Sequence, residues 1–512
     1  MIGNLLIWLI VLPLVGALIL LAIPNEQKNA IRSIATVMSG AVLVLSLVIW
    51  GSFDRTVSGM QPDMYMVYEW FNLGFLQINF EIGVDGLSMP LIVLTTIVTT
   101  FSLFASFSIE KRVKEFYIWT MVLLSGMLGV FVALDMFLFF LFFELTLIPM
   151  FFLIGIWGGK LREYASFKFL VYTGLGSGIM FLTFIAIFVK GAEAMMFQET
   201  SFSMIRLAEI YANPANPDVL TGGVKGAMFL FLFLAFAIKL PVFPFHTWLP
   251  NAHVQAPTAA SMILAGVLLK MGGYGLIRVG FGILPDQAAR FATLIAILGV
   301  VNIIYGALLA LVQTDLKSLV AYSSISHMGI VLLGIASFTE AGMQGAIFQL
   351  VSHGFISALL FFMVGAIYER TKTRTISELG GLSKSVPILA GFMLAAAMAS
   401  VGLPGLSGFV SELLAFIGIF GASADLIPAA TLIGVIGALG IILTAAYLLW
   451  AMQRTTFGPM NEKFAGLKDA RPMEYVPMVG LFVFIILIGV YPYLLSDVIN
   501  TTVIDLVSKI GG

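Results

Sequence analysis

The sequence predicts an all-α polytopic membrane protein of about fourteen transmembrane helices, with two inverted five-helix repeats that each contain a broken helix. Three observations carry this expectation. Of 512 residues, 60% are hydrophobic and 10% charged, against about 25% charged in an ordinary soluble domain. Apolar windows of roughly 20 residues, enough to cross a ~30 Å hydrocarbon core, recur from end to end. Two of these windows, far apart in the chain, are interrupted by proline and glycine close to a single charge.

Backbone amides in hydrocarbon must be satisfied internally, and the windows are far longer than barrel strands, which leaves a helical bundle. The windows are 4–23, 31–50, 85–108, 116–134, 136–157, 167–190, 224–248, 256–279, 288–313, 317–337, 342–370, 387–420, 428–457 and 475–495. We refer to them as spans one to fourteen. The run Leu5 to Ile23 has no basic residue before it and no small-residue cleavage site after it, so it reads as a retained span. With no cysteine, disulfides, Cys-ligated iron–sulfur clusters and CxxC redox pairs are excluded from this chain. A net charge of −1 argues against nucleic acid as a partner.

An even number of spans puts both termini on one side. Of the 26 lysines and arginines, 17 fall in the odd-numbered connections and 7 in the even-numbered ones and the tail. By the positive-inside rule the odd connections face the cytoplasm, and both termini face the outer, periplasmic side of a bacterial cell membrane. The two remaining basic residues, Lys239 and Lys270, lie inside spans.

Four charges fall within spans away from their ends: Glu144, Lys239, Lys270 and Glu412. Such residues are rare and face the bundle interior or water. At 1.5 Å per residue, Glu144 and Lys270 lie within roughly 5 Å of the centres of their spans. The structural alternative is a set of buried ion pairs. The functional reading is a proton element: moving a carboxylate towards or away from a buried lysine changes whether that lysine holds its proton. Glu144 with Lys239 is the candidate pair.

Proline removes a helix hydrogen bond and clashes with the carbonyl four residues back. Pro241 and Pro244 therefore break span seven just after Lys239, and Pro404 with Gly405 breaks span twelve before Glu412. A packing kink is the alternative for each. Spans seven and twelve are five apart, and an odd offset gives opposite orientations, so spans four to eight and nine to thirteen form inverted repeats. The implied divisions are 1–115, 116–280, 281–457 and 458–512. Matched interrupted helices in two halves point to a transporter's ion site.

His327 has Ser323 and Ser324 three and four residues before it, and His353 has Gln349 and Ser357 at similar spacing. Histidine titrates near neutrality, so the two fit a proton relay between lysine and acid. Bis-histidine haem ligation is the alternative, although nothing else suggests a haem pocket. Gly174, Gly176 and Gly178 read as close helix packing. His246 and His253 lie in the Pro-flanked exit segment after the first break and rank below His327 and His353. No metal site is expected.

The segments FFELTLIPMFFLIGIWGG (142–159), IKLPVFPFHTWLPNAHVQAPTAASMILAGVLLKMGGYGL (238–276), QTDLKSLVAYSSISHMG (313–329), GLPGLSGFVSELL (402–414) and AYLLWAMQRTTFG (446–458) resemble the antiporter-like membrane subunits of respiratory complex I. The resemblance covers roughly residues 85–460.

The resemblance implies that Glu144 pairs with the pumping lysine Lys239, and that Lys270 is a connecting lysine. It makes His327 and His353 axial relays, and Glu412 the terminal group towards the outside. Sibling subunits more often carry lysine at this last position. Ser323, Ser324, Gln349 and His246 would be supporting polar residues. The resemblance further implies that this chain binds no cofactor, and that NADH, flavin, iron–sulfur clusters and quinone belong to partner subunits. Expected partners are sibling antiporter-like subunits, the peripheral redox arm at a distance, and the lipid bilayer. The rival readings are a subunit of a multi-subunit cation/proton antiporter and an electron-carrying cytochrome.

Overall fold

The computed structural model describes residues 3–72, 74, 76–196, 201–213 and 222–511. Twelve helices there are long and apolar enough to cross a membrane: Asn4–Ala22, Lys28–Gly51, Ser88–Ala105, Val113–Val132, Met136–Trp157, Arg162–Ala194, Thr258–Phe281, Ala292–Leu311, Leu316–Ala336, Glu340–Thr371, Ala430–Phe457 and Pro472–Val490. They occupy twelve of the fourteen windows. The other two are those expected to be broken, and both are: span seven is Gly222–Lys239 followed by Trp248–Gln255, and span twelve is Pro387–Val401 followed by Ser407–Phe420. Spans nine and ten, close in sequence, are separate helices because Asp315 caps the second by accepting from the Lys317 and Ser318 amides at 2.8 and 3.1 Å.

The connections sort by parity. Arg32 reaches the Ile109 carbonyl at 2.9 Å, Trp157 that of Lys111 at 2.6 Å, and the Gly159 amide that of Gln255 at 2.9 Å. Arg374 pairs with Asp315 at 3.1 Å and Arg370 with Glu474 at 2.6 Å. Each joins two odd-numbered connections or helix ends beside them. On the even side, the Leu134 amide donates to Glu81 and the Met204 amide to Leu134, at 2.9 and 2.7 Å. Arg55 pairs with Asp497 at 2.8 Å. Fourteen crossings, with both ends of the chain on the even side, account for this pattern.

Three elements on the even side fall outside the membrane windows and were not expected. Strands β1 (Met66–Asn72) and β2 (Gln77–Ile82) form an antiparallel hairpin. It is fastened to the bundle by Glu81, whose Oε1 accepts from Tyr65 at 2.8 Å and Ser203 at 3.0 Å. Burial raises the Glu81 carboxyl above its ordinary range, and those two hydroxyls oppose the shift. Helix Met204–Ala212 starts where Ser203 caps the Arg206 amide. The final segment is also helical, Tyr493–Gly511, in addition to the last span. Its buried stripe of Leu495, Val498, Ile499, Thr502, Val503 and Leu506 follows helical spacing, and Asp497, Asp505 and Lys509 keep it out of hydrocarbon.

Proline did not break every helix: Pro13, Pro149 and Pro477 lie inside continuous ones. Spans eight and eleven are enclosed along their whole windows and span ten almost so. Small residues permit the tightest crossings. A Cβ on Gly329 would lie 2.5 Å from the Gly299 carbonyl oxygen and 2.8 Å from the Ile303 amide nitrogen, both backbone atoms that cannot yield. Gly329→Val should therefore cost at least the ~1–3 kcal/mol of an overpacked core. The expected readout is a several-fold lower yield of intact complex on native gels and a lower Tm.

Candidate proton-transfer site

The first break follows from the backbone. Pro241 has no N–H for the Ala237 carbonyl, and that carbonyl instead takes the Val242 amide at 2.8 Å. The opened turns are held by Asn302 on span nine, which sequence reading passed over. Its side chain accepts from the Phe243 amide at 2.7 Å and donates to the Pro241 carbonyl at 3.1 Å. Trp248 adds a bond to the Ile238 carbonyl at 2.8 Å. Irregular backbone at membrane depth is tolerable only when protein satisfies it in this way.

Lys239 ends the first half-helix and is buried. Its Nζ lies 4.9 Å from the Phe143 ring centre and 5.7 Å from that of Phe169. Aromatic faces attract a cation, so they cradle the ammonium without trapping it. Glu144 follows Phe143 on span five, and its Oε1 is buried without a hydrogen-bond partner among the described residues. The two charges feel each other, yet among the described residues no ion pair within 4.0 Å joins them, and the Glu144 Oε1 stays unpaired. The expected pair is therefore in proximity and open, not closed.

The second break frees a different group. The helical partner of the Ser400 carbonyl would be the amide of residue 404, which is proline and has none. That carbonyl instead takes His327 Nε2 at 3.1 Å. Gly402 and Gly405 adopt φ of +83° and +91°, which glycine alone adopts freely. A Cβ on Gly402 would stand 2.6 Å from Glu412 Oε2, so this glycine also makes room for the carboxylate.

Between the breaks runs a continuous polar file. Lys270 Nζ donates to the Ala265 carbonyl and meets His353 Nδ1 at 2.8 Å. Ala265 belongs to a π-helical stretch, Leu264–Leu268, whose wider turns release carbonyls from the regular ladder. The His353 and His327 rings are 5.3 Å apart, centre to centre. His327 Nδ1 is 2.7 Å from the Ser323 carbonyl oxygen, and its Nε2 is 3.9 Å from Glu412 Oε1. A small cavity lined by His327, Gln349, His353, Ser400 and Glu412 joins the last three members. The arrangement can pass a proton from lysine to imidazole to imidazole to carboxylate over short steps.

The supporting residues divide. Gln349 accepts from Ser411 and lines the cavity. The hydroxyls of Ser323 and Ser324 turn back onto the Val320 carbonyl at 2.8 and 3.2 Å, so Ser323 meets His327 through its backbone. Ser357 likewise bonds the His353 carbonyl at 2.5 Å. His246 is buried beside Phe243 and Tyr305, 5.9 and 5.2 Å away, and its Nδ1 has no partner among the described residues. It lies at the first break, apart from the file. Lys239 closes its half-helix whereas Glu412 lies within the second one, so the two charges do not occupy equivalent repeat positions.

Sequence reading also counted two basic residues as connection charges that are buried in the bundle. Arg278 pairs with Asp85 at 2.6 Å and donates to the Tyr274 hydroxyl at 3.2 Å. Lys317 donates to the Ala256 carbonyl at 2.6 Å. Both stand at the ends of apolar runs, where spacing alone cannot separate a solvated from an enclosed side chain.

A family model described as the transmembrane region of NADH:quinone oxidoreductase and Mrp antiporters matches residues 133–453. NADH-quinone oxidoreductase subunit M of Rhodobacter capsulatus is 41% identical over 99% of this chain and 97% of its own length. This chain belongs to the subunit M family. NAD(P)H-quinone oxidoreductase chain 4 1 of a Picosynechococcus strain is also 41% identical, over 98% of this chain and 91% of its own. Among solved structures, a chain of respiratory complex I from Thermus thermophilus aligns with a TM-score of 0.85 and 29% identity, covering 99% of this chain and all of that one. A chain of the Mrp complex of a Dietzia strain shares the fold, with a TM-score of 0.81 at 20% identity. The matched region contains the whole polar file and both breaks, and multi-pass membrane insertion follows from family and structure together.

Proposed function

We propose that this chain is a proton-translocating subunit in the membrane arm of an NADH:quinone oxidoreductase. The observation that carries the reading is the file Lys270, His353, His327 and Glu412, with Lys270 Nζ 2.8 Å from His353, the two histidine rings 5.3 Å apart centre to centre and His327 3.9 Å from Glu412, enclosed between two helix breaks. Family membership supplies the context. The proton-bearing groups are Lys239, Lys270, the two histidines and Glu412, with Glu144 biasing Lys239. Pro241, Pro244, Pro404 and Gly405 open the helices beside them.

The open Glu144–Lys239 arrangement suits a switch. Approach of the carboxylate favours the charged lysine, and withdrawal favours release of its proton towards Lys270. Opposite ends of the file then load and discharge in turn. The energy comes from redox chemistry elsewhere, through NADH, flavin, iron–sulfur clusters and quinone held by partner subunits. Coupling at a distance requires an element with two arrangements that both sites bias, and the two breaks with the charges between them are that element. The basic-rich face is assigned to the cytoplasm of a bacterial cell, with both termini outside.

A shared fold with an Mrp chain keeps a cation/proton antiporter subunit as the second reading. Purification of the tagged chain from native membranes, followed by absorption spectroscopy and protein identification, separates the two. The expected result is copurification of flavin and iron–sulfur proteins with sibling membrane subunits. Small membrane subunits accompanied by neither would instead assign the antiporter.

A further inference from the structure

Span fourteen packs against spans three and eleven, and the seam between them opens into two clefts, one towards each membrane face. On the even side a cleft of about 220 Å³ is walled by apolar and aromatic side chains alone, among them Trp50, Val93, Phe355 and Phe484. On the odd, basic-rich side a cleft of about 310 Å³ is walled by Phe107 at the end of span three, Phe362 and Ala366 of span eleven and Met473 of span fourteen. Between the two the seam is shut. A Cβ on Gly480 would stand 2.3 Å from the Phe101 ring, so span fourteen there lies directly on span three.

This closure decides what the clefts can hold. Gly480 is in the middle of span fourteen, Pro472–Val490. A partner's transmembrane helix needs a groove through the whole ~30 Å hydrocarbon core, and the Phe101 contact interrupts this one at mid-depth. Each cleft is therefore one leaflet deep, which is the reach of an acyl chain.

The two clefts differ at the rim. The even-side lining carries no charge, whereas the odd-side lining includes Glu369, Arg471 and Glu474. Glu474 is already engaged: it accepts from the Arg370 guanidinium at 3.0 and 2.6 Å and from the Arg471 amide at 2.6 Å. Arg471 Nη1 and Glu369 Oε2 are held more loosely, 3.3 Å apart, with side chains 58% and 30% exposed. An exposed pair of this kind contributes little by itself, so both groups stay available to a headgroup. A guanidinium matches a phosphate, and basic clefts between transmembrane helices on the cytoplasmic face suit lipid headgroups. The acid beside the arginine calls for a second group, a cation that donates hydrogen bonds.

We propose that the odd-side cleft binds a phospholipid whose headgroup joins a phosphate to a primary ammonium, as in phosphatidylethanolamine. The phosphate sits on Arg471, the ammonium donates to Glu369, and an acyl chain lies along Phe107, Phe362 and Met473. Span eight also reaches the cleft, through Thr258. The lipid thus lies against the two enclosed helices that carry Lys270 and His353. The site stands on its own chemistry, whichever ion the chain moves.

The test uses purified, assembled complex and phospholipids with a photoreactive acyl chain, whose points of attachment are mapped by mass spectrometry after illumination. Three headgroups separate the chemistry. Phosphatidylethanolamine offers phosphate and ammonium donors, phosphatidylcholine the same charges without a donor, and phosphatidylglycerol the phosphate without a cation. Attachment is expected to concentrate at residues 104–108, 362–366 and Met473, several-fold more strongly with the ethanolamine lipid than with the other two. Arg471→Ala is expected to weaken all three several-fold, and Glu369→Gln to bring the ethanolamine lipid down to the level of the choline lipid. Equal labelling of the wild-type cleft by the three headgroups overturns the proposal, as does labelling no denser there than on the chain's other exposed apolar residues. Absence of label from the cleft also overturns it, since a neighbouring subunit would then be the occupant. Should a variant fail to assemble, the wild-type comparison of headgroups decides alone.

Discussion

An assembled complex carrying Lys270→Met is expected to lose NADH-driven proton uptake and quinone-coupled NADH oxidation by at least about tenfold, within the ~10²–10⁴-fold worth of a positioned proton-transfer group. Methionine matches the length of lysine and fills the same enclosed space, so the loss reports chemistry and not a cavity. It leaves His353 Nδ1 and the Ala265 carbonyl without the Nζ partner each now has, a cost of about 1–3 kcal/mol for each buried group left unpaired. Artificial-acceptor oxidation, which bypasses the membrane arm, should remain. Lys270→Arg gives the sharper comparison. It retains the positive charge and donors, but a guanidinium does not give up its proton in a protein. The expected result is an assembled and inactive complex, whereas activity comparable to wild type would show that the charge alone suffices.

The second large effect is expected at the far end of the file. Glu412→Gln preserves shape and removes ionisation, and should reduce pumping on a similar scale without loss of assembly. A residue with no proton chemistry should reproduce it. Gly402 has φ of +83° and a Cβ there would meet the Glu412 carboxylate at 2.6 Å. Gly402→Ala therefore both strains the break and pushes the carboxylate off its place 3.9 Å from His327. The same assays on assembled Gly402→Ala should show uptake reduced together with quinone-coupled turnover. Wild-type pumping by that variant would mean the position of the Glu412 carboxylate is immaterial.

Much of this architecture was legible because a membrane makes the sequence explicit. Apolar windows announced every span, and the missing amide of proline placed the break after Lys239 and the one before Glu412. Two of the four charges in hydrocarbon, Lys270 and Glu412, and two histidines with polar companions are the residues that the structure brings into one file. What escaped has physical reasons. Asn302 is an ordinary amide in an apolar run until the break it mends is seen in space. The hairpin, Met204–Ala212 and Tyr493–Gly511 carry no membrane-length apolar signal, although the buried stripe from Leu495 to Leu506 was readable as an amphipathic helix. The π-helical stretches of span eight depend on packing between spans and leave no mark in composition. His253 was placed with exit-segment residues because prolines flank it, and only the closure of spans eight, ten and eleven around it buries the ring. Pro149 warns that proline alone is insufficient: span five stays continuous through it, while the breaks combine proline with a second proline or with glycines of positive φ.

Whether this chain itself carries protons across the membrane through its buried charges is decided by the number of protons moved per NADH oxidised in vesicles containing an assembled Lys239→Ala complex. Proton uptake and quinone-coupled oxidation are expected to be abolished or sharply reduced while artificial-acceptor oxidation stays largely intact. Normal pumping at the wild-type stoichiometry by that complex would contradict that assignment.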